Sequence, residues 1–292
     1  MQYKGIILAG GSGTRLSPLT DYTCKQLLAI YDKPLIYYPL TLMLLAKIRE
    51  ILIISTPQTV PILKNALGDG RQFGVKIDYA VQQKPNGIAE CFLIAEDFLK
   101  SSPCMLILGD NIINMTHFTE FIDQAMQNNE GGTVFGFPVA HPQRFGVIEL
   151  DRSSGQVLSI EEKPLKPKSN IASIGMYLYS NDVVERAKRL SPSSRGELEI
   201  TDINRQYLLE DQLKCQLLTR GDFWADAGTF SDMNNCSNYI RLQQEYTSLM
   251  IGCPEEAAFN AGLITRKQLK ALAGEMKENS YSNYLLATAE AK

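Results

Sequence analysis

Short apolar, β-rich runs alternate with amphipathic stretches of helical period through the first half of the chain, and this alternation is the strongest constraint on its fold. It is the pattern that parallel strands with crossover helices produce, so a doubly wound α/β layer is expected. The strands read as Lys4 to Ala9, Glu50 to Ser55, Lys76 to Val81 and Cys104 to Leu108. Between them one helix runs from Pro34, suited to a first turn, toward Ile48, with Pro39 kinking it or delaying its start. Another covers Ile88 to Lys100.

Past Gly132 the pattern turns to successive strands: Thr133 to Val139, Gly146 to Leu150, Val157 to Glu161 and Ser173 to Tyr179, with Ser153-Ser154-Gly155 as a hairpin turn. From Phe230 the sequence is helical to the end. Pro254-Glu255-Glu256 opens one short helix there and Thr265-Arg266-Lys267-Gln268 another. The expected organisation is a core over 1–229, changing character near 132, and a helical appendage over 230–292 that does not fold independently. A chain of 292 residues with 45% hydrophobic content has ample material for that core.

A formal charge of −3 and an isoelectric point near 5.6 leave no basic surplus, which argues against a nucleic-acid partner. Anionic ligands must be held by local residues. Six cysteines are scattered without a C-x-x-C pair, and His117 and His141 are the two histidines, so reduced thiols are expected rather than a transition-metal site. Met1 leads into Gly5-Ile6-Ile7-Leu8-Ala9 without a charged leader or cleavage site, and no apolar stretch reaches membrane-spanning length. A cytoplasmic protein without a membrane partner is expected.

Leu8-Ala9-Gly10-Gly11-Ser12-Gly13-Thr14-Arg15-Leu16 follows the first strand, at the carboxyl end where open α/β sheets carry ligand loops. Glycines there permit positive φ and close main-chain approach, so N–H groups can converge on phosphate; the alternative is a tight turn with no ligand. A Walker A loop is excluded, because Gly13 is followed by Thr14-Arg15. The dinucleotide fingerprint is excluded too: Leu16 stands at its third glycine, and Ser55-Thr56-Pro57 ends the second strand without an acid. What remains is a phosphate loop with its own guanidinium, Arg15, suited to neutralising a departing pyrophosphate.

Further motifs follow in order: Lys25-Gln26-Leu27-Leu28, Tyr31-Asp32-Lys33-Pro34-Leu35-Ile36-Tyr37-Tyr38-Pro39-Leu40, Leu108-Gly109-Asp110-Asn111, Glu161-Glu162-Lys163-Pro164, Arg195-Gly196-Glu197-Leu198-Glu199-Ile200-Thr201-Asp202 and Trp224-Ala225-Asp226-Ala227-Gly228-Thr229. With the glycine loop they resemble, over nearly the whole chain, the sugar nucleotidyltransferase family, and most closely the branch that uses dTTP and glucose 1-phosphate. The resemblance implies an α/β fold: a Rossmann-like, mostly parallel sheet flanked by helices (nucleotide-binding part, about 1–132), a mixed-strand sugar-binding part (about 133–229) and a C-terminal helical appendage, usually in a homotetramer. It implies Mg2+-dependent transfer of a thymidylyl group to α-D-glucose 1-phosphate, giving dTDP-glucose and pyrophosphate.

Asp110 and Asp226, each at the end of a strand, are two carboxylates from separate elements that can converge on one hard cation, leaving room for phosphate oxygens. Either one alone reads equally as a helix cap or a solvated loop residue. The resemblance assigns both to Mg2+. It sets Gly10, Gly11, Gly13, Thr14, Arg15, Lys25, Gln26 and Asp110 at the nucleotide, with Gln82 reading a pyrimidine edge and Gly87 bringing backbone against the base. Otherwise Gln82 is a polar residue at a strand end. Asn111, Gly146, Glu162, Lys163, Ser173 and Tyr177 fall at the sugar phosphate: Lys163 as a compact charge on its phosphate, Glu162 as an acceptor from sugar hydroxyls. Apart from the family, Glu161-Glu162-Lys163 reads as a solvated turn and Tyr177 as packing. The implied catalytic set is Arg15, Lys25, Lys163, Asp110 and Asp226.

The chain departs from the family's pattern at several points. Gln83 stands where proline usually follows the base-reading glutamine, Glu90 replaces a common glutamine, and Ser173 replaces valine near the sugar. Ile112-Ile113-Asn114-Met115 lacks the glycines often found after the metal aspartate, and Ala225 and Ala227 replace larger or hydroxylic neighbours. The alternatives are the same chemistry with UTP, CTP, GTP, ATP or another sugar 1-phosphate, and a noncatalytic homologue that binds a nucleotide sugar.

Overall fold

The structure is a computed structural model in which residues 2–11 and 13–291 are described; Met1, Ser12 of the glycine loop and Lys292 lie outside the described residues. Four parallel strands stand side by side in the order Cys104–Leu108, Lys4–Leu8, Glu50–Ser55, Lys76–Val81. Their side chains alternate between two cores. Ile7, Ile51, Ile53, Met105 and Ile107 pack on one face, and Ile6, Leu52, Ile54, Cys104 and Leu106 on the other. Burial on both faces is why Lys4–Leu8, Glu50–Ser55 and Cys104–Leu108 read as continuous apolar runs; Lys76–Val81, at the sheet's edge, is only partly buried.

Ile171–Tyr179 extends the sheet by pairing antiparallel to Cys104–Leu108. Gly132–Pro138 and the hairpin Gly146–Leu150/Val157–Glu162 then attach to Ile171–Tyr179, and Leu213–Leu217 runs parallel to Gly132–Pro138, completing nine strands. The mixed-strand part is therefore a continuation of the parallel sheet. The register against Gly132–Pro138 shifts between Ser173 and Tyr177, an irregularity of the kind that re-aims side chains beside a site.

Three of the four expected parallel strands have the expected bounds, and the first ends one residue early. Two expected helices differ. The helix expected from Pro34 runs over Tyr37–Leu45: Pro34 instead pairs with Ala29 in the small ribbon Ala29–Ile30/Lys33–Pro34. Pro39 falls in the helix's first turn, where its missing N–H removes no intrahelical bond. The stretch expected as one helix to Lys100 breaks at Ala95 into Glu90–Ile94 and Glu96–Leu99.

Phe230–Thr247, Pro254–Asn260, Arg266–Glu275 and Ser280–Glu290 form the helical C-terminal region. Thr265 and Gln268 make a reciprocal capping box. Ala257, Ala258, Ile264 and Leu269 share the core that contains Leu40, Met43 and Phe73. All six cysteines are free thiols. No described helix is long and apolar enough to cross a membrane.

The link between Pro254–Asn260 and Arg266–Glu275 passes close to Gly74, which has φ +70°; a β-carbon there would lie 2.2 Å from the Leu263 carbonyl oxygen. Gly262 has a similar φ of +69° but open space around it. Alanine at either position meets the left-handed cost of about 1–2 kcal/mol. Gly262→Ala is expected to lower Tm by a few degrees, at about 2–4 °C per kcal/mol, and Gly74→Ala by clearly more. Equal melting temperatures would show that the Leu263 backbone yields.

Candidate active site

The chain reverses after Asp110 into the strand Asn111–Asn114, which pairs antiparallel with Phe223–Asp226 so that Asn111 stands opposite Asp226. The Ala227 N–H donates to the Asp110 carbonyl at 2.9 Å, fixing the two aspartates' backbones together. Asn111, 2% exposed, locks the arrangement. Its Oδ1 accepts from Trp224 Nε1 (2.6 Å) and the Gly175 N–H (3.0 Å), while its Nδ2 donates to Asp110 Oδ1 (3.0 Å). A β-carbon on residue 175 would lie 2.5 Å from Asn111 Nδ2, so close approach requires the glycine.

Lys25 Nζ donates to Asp110 Oδ2 at 2.6 Å, and Asp226 Oδ1 accepts from the Gly228 N–H at 3.0 Å. Burial, and next the charge of Asp110, raise the Asp226 carboxyl above its ordinary value, with Lys25 opposing. The two carboxylates lie near Lys25, and Arg15 and Lys163 line the same cavity as both aspartates. Among the described residues no group of three or more His, Cys, Asp and Glu is clustered to hold a metal. Two hard oxygen donors beside open space fit a cation that keeps places for water and phosphate oxygens.

A cavity of about 230 Å³ opens from Asp110 past Gly10, Gly11, Gln82, Pro85 and Gly87. Gln82 continues the strand Lys76–Val81, its N–H donating to the Ser55 carbonyl at 2.8 Å. A β-carbon at Gly10 would lie 2.7 Å from Gln82 Oε1, and one at Gly87, where φ is +109°, would lie 2.4 Å from the Leu198 carbonyl oxygen. Both glycines are therefore fixed by contact. Gly11 (φ +103°) faces open space, while the Gly13 carbonyl accepts from Thr20 Oγ1 at 2.9 Å. Thr14 and Arg15 are exposed on a single 3-10 turn, Thr14–Leu16, anchored by buried Leu16. Gln26, beside Lys25, is buried and lines neither this cavity nor the next.

The second cavity, about 310 Å³, meets the first at Asp110 and extends past Asp226, Arg15, Gly146, Glu162 and Lys163. Glu162 stands opposite Gly146 in the hairpin, and its Oε2 accepts from Thr201 Oγ1 at 2.6 Å. Arg195 Nη2 and Lys163 Nζ each lie 3.5 Å from Glu162 Oε1. Lys163 has φ +42°, left-handed for a residue with a β-carbon, and its N–H donates to the Phe145 carbonyl at 3.0 Å. Such conformations persist where surroundings over-determine them, often at functional sites. Ser173 and Tyr177 line the same cavity. Ser173 Oγ is buried with no described partner, and Tyr177 stacks on Tyr179 with ring centroids 6.0 Å apart. Burial raises the Tyr177 hydroxyl pKa.

Several lining residues were not singled out from sequence. Thr201 and Glu197 belong to the Arg195-to-Asp202 motif, and Trp224 adjoins Asp226, so position gave a signal for them. Arg144 and Phe145 precede Gly146 on a turn that no pattern marked. A larger cavity, about 650 Å³, lies beside Tyr3, Pro103 and Ser180 at the opposite end of the parallel strands. Open α/β sheets take ligands at carboxyl strand ends, where the two smaller cavities lie.

The nucleotidyl transferase family model matches residues 4–243. Over 283 residues the chain is 47% identical to a glucose-1-phosphate thymidylyltransferase of Neisseria meningitidis, covering 97% of this chain and 98% of that protein. Over 289 residues it is 48% identical to one from Xanthomonas campestris pv. campestris, covering 99% and 98%. A solved structure from Bacillus anthracis, assigned to glucose-1-phosphate thymidylyltransferase, superposes with a TM-score of 0.76 at 38% identity, covering 82% of this chain and 95% of that one. The fold is also that of a UDP-glucose pyrophosphorylase solved with UDP-glucose, with a TM-score of 0.74 at 23% identity over 83% and 100%. Both aspartates and the walls of both cavities fall inside the matched span, and the chain belongs to the nucleotidyl transferase family.

Proposed function

We propose that this chain transfers a thymidylyl group from dTTP to α-D-glucose 1-phosphate with Mg2+, giving dTDP-glucose and pyrophosphate. The observation that carries the proposal is the junction at Asp110 of two cavities, one walled by glycine backbone and the Gln82 amide, the other by Lys163 and Glu162. The names of the relatives support the choice of substrates.

An oxygen of glucose 1-phosphate attacks the α-phosphorus of dTTP. The bond from that phosphorus to the oxygen bridging to the β-phosphate breaks, and pyrophosphate leaves with that oxygen. No general base is needed, because a phosphate monoester is already ionised near pH 7. Lys163 holds the acceptor phosphate, and Glu162, its carboxylate steadied by Thr201, accepts from sugar hydroxyls. Arg15 and Lys25 face the charge that grows on the leaving pyrophosphate. Asp110 and Asp226 are the residues that would hold Mg2+, which when bound supplies charge neutralisation at the phosphates. The proposal extends to a cytoplasmic homotetramer; Leu242, Tyr246 and Leu249, exposed near the end of Phe230–Thr247, are surface that assembly would cover. Light scattering reads the mass.

The first test is pyrophosphate release with glucose 1-phosphate and Mg2+, comparing dTTP, UTP, CTP, GTP and ATP; dTTP is expected to be preferred, and preference for another triphosphate would overturn the base assignment. Arg15 is exposed, so Arg15→Ala should keep its melting temperature while kcat falls by about 10²-fold or more. A folded variant with normal turnover would remove Arg15 from the mechanism. Asp226→Asn should lose turnover on the same scale yet melt at pH 7 no lower than wild type. The sign follows from the raised carboxyl: ionisation at neutral pH disfavours the fold, a cost relieved as pH falls through that pKa and removed by the amide. A large drop in Tm would show the carboxylate to be structural.

A further inference from the structure

Glu90 opens the short helix beside the base cavity without lining it, and its carboxylate joins two side chains of the loop before it. Its Oε2 accepts from Gln82 Nε2 at 2.8 Å, and its Oε1 from Asn86 Nδ2 at 2.8 Å. The remaining proton on Gln82 Nε2 goes to the Gly87 carbonyl at 3.1 Å. We propose that Glu90 is a positioning residue that fixes the Gln82 amide with its oxygen toward the base, so that the cavity selects a base carrying an imino N–H. The inference rests on the nucleotidyl-transfer reading of this cavity.

An ionised carboxylate only accepts hydrogen bonds. Turning the Gln82 amide over would set its oxygen against the Glu90 carboxylate and the Gly87 carbonyl, losing two bonds and facing acceptor to acceptor. The side chain is 5% exposed, so it has no solvent to turn into. In the observed orientation Oε1 points at Gly10, where only the absence of a β-carbon leaves it room, and among the described residues no donor reaches it. The amide thus offers the cavity an acceptor and no donor.

Thymine and uracil carry an N3–H and guanine an N1–H that can donate to such an oxygen. Cytosine N3 and adenine N1 present lone pairs that it repels. A glutamine at position 90 has one oxygen for two donors, Gln82 and Asn86, so it relaxes the constraint. Asn86→Asp together with Glu90→Gln rebuilds it: the carboxylate introduced at position 86 accepts from the new amide nitrogen at position 90, and the new amide oxygen accepts from Gln82.

The experiment measures kcat/KM for dTTP and dCTP, which share a sugar, and the Kd of each without acceptor. It compares wild type, Glu90→Ala, Glu90→Gln and the Asn86→Asp/Glu90→Gln pair. Wild type is expected to favour dTTP by about 10²-fold or more, as sites built to bond an N–H do. Glu90→Ala and Glu90→Gln should lower that ratio about tenfold, through KM and Kd for dTTP, with kcat and KM for glucose 1-phosphate near wild type. The paired variant should recover the ratio. Folded single variants that keep the wild-type ratio, or lose dTTP and dCTP activity equally, would overturn the role of Glu90 and leave the transfer reading standing. A wild-type protein that releases pyrophosphate from no triphosphate would overturn the transfer reading, and this inference with it.

Discussion

The pairing of Asn111–Asn114 with Phe223–Asp226 is the interaction on which the site depends, because it brings together two aspartates supplied by distant parts of the chain. Backbone bonds alone set the register, and the buried Asn111 amide makes it hard to slip. Its oxygen binds a neighbouring indole and a backbone N–H, and its nitrogen binds one of the aspartates. Buried polar networks of this kind rigidify when fully satisfied and are costly when broken. The indole carries the constraint further: Trp224 meets Phe145 edge to face with centroids 5.0 Å apart, and the Phe145 carbonyl holds the backbone of Lys163. One amide thus connects the two carboxylates to Lys163.

Much of this was legible in the sequence, for reasons specific to each element. Strands buried on both faces announce themselves as unbroken apolar runs, so Glu50–Ser55 and Cys104–Leu108 were readable to the residue; Lys76–Val81, a partly buried edge strand, also has its expected bounds. The four-residue strand Asn111–Asn114 was not readable, since it gains its structure from its partner and carries no period long enough to detect, whereas the strand end at Asp226 was read. Ala29–Ile30 with Lys33–Pro34 is the same case, and missing it misassigned Pro34 to a helix. At the site, residue types pointed to chemistry, while partnerships stayed invisible. Glu90 stood out only as a departure from the family's usual residue, and its bonds to Gln82 and Asn86 needed three dimensions to appear.

The site is also where the fold accepts a local cost. Asp226 is held ionisable in a buried position beside a second carboxylate, Lys163 in a left-handed backbone conformation, and Ser173 Oγ without a described partner. Each is locally unfavourable, and each lies on the wall of the same cavity. The two cores on either side of the sheet supply the stability against which these costs are set.

Asp110, Ile88 and Leu108 belong to the walls of both cavities, so the two spaces are one continuous trough with a shared midpoint. On the proposed reading, the joined nucleotide sugar lies along the whole trough, whereas each substrate covers part of it and pyrophosphate only the neighbourhood of Arg15 and Lys25. Two sets of contacts on one linked molecule act at high effective concentration, so the joined product lets go last. On that reading, emptying the trough is the step these two sets of contacts slow, and whatever withdraws the nucleotide sugar from solution favours the forward direction.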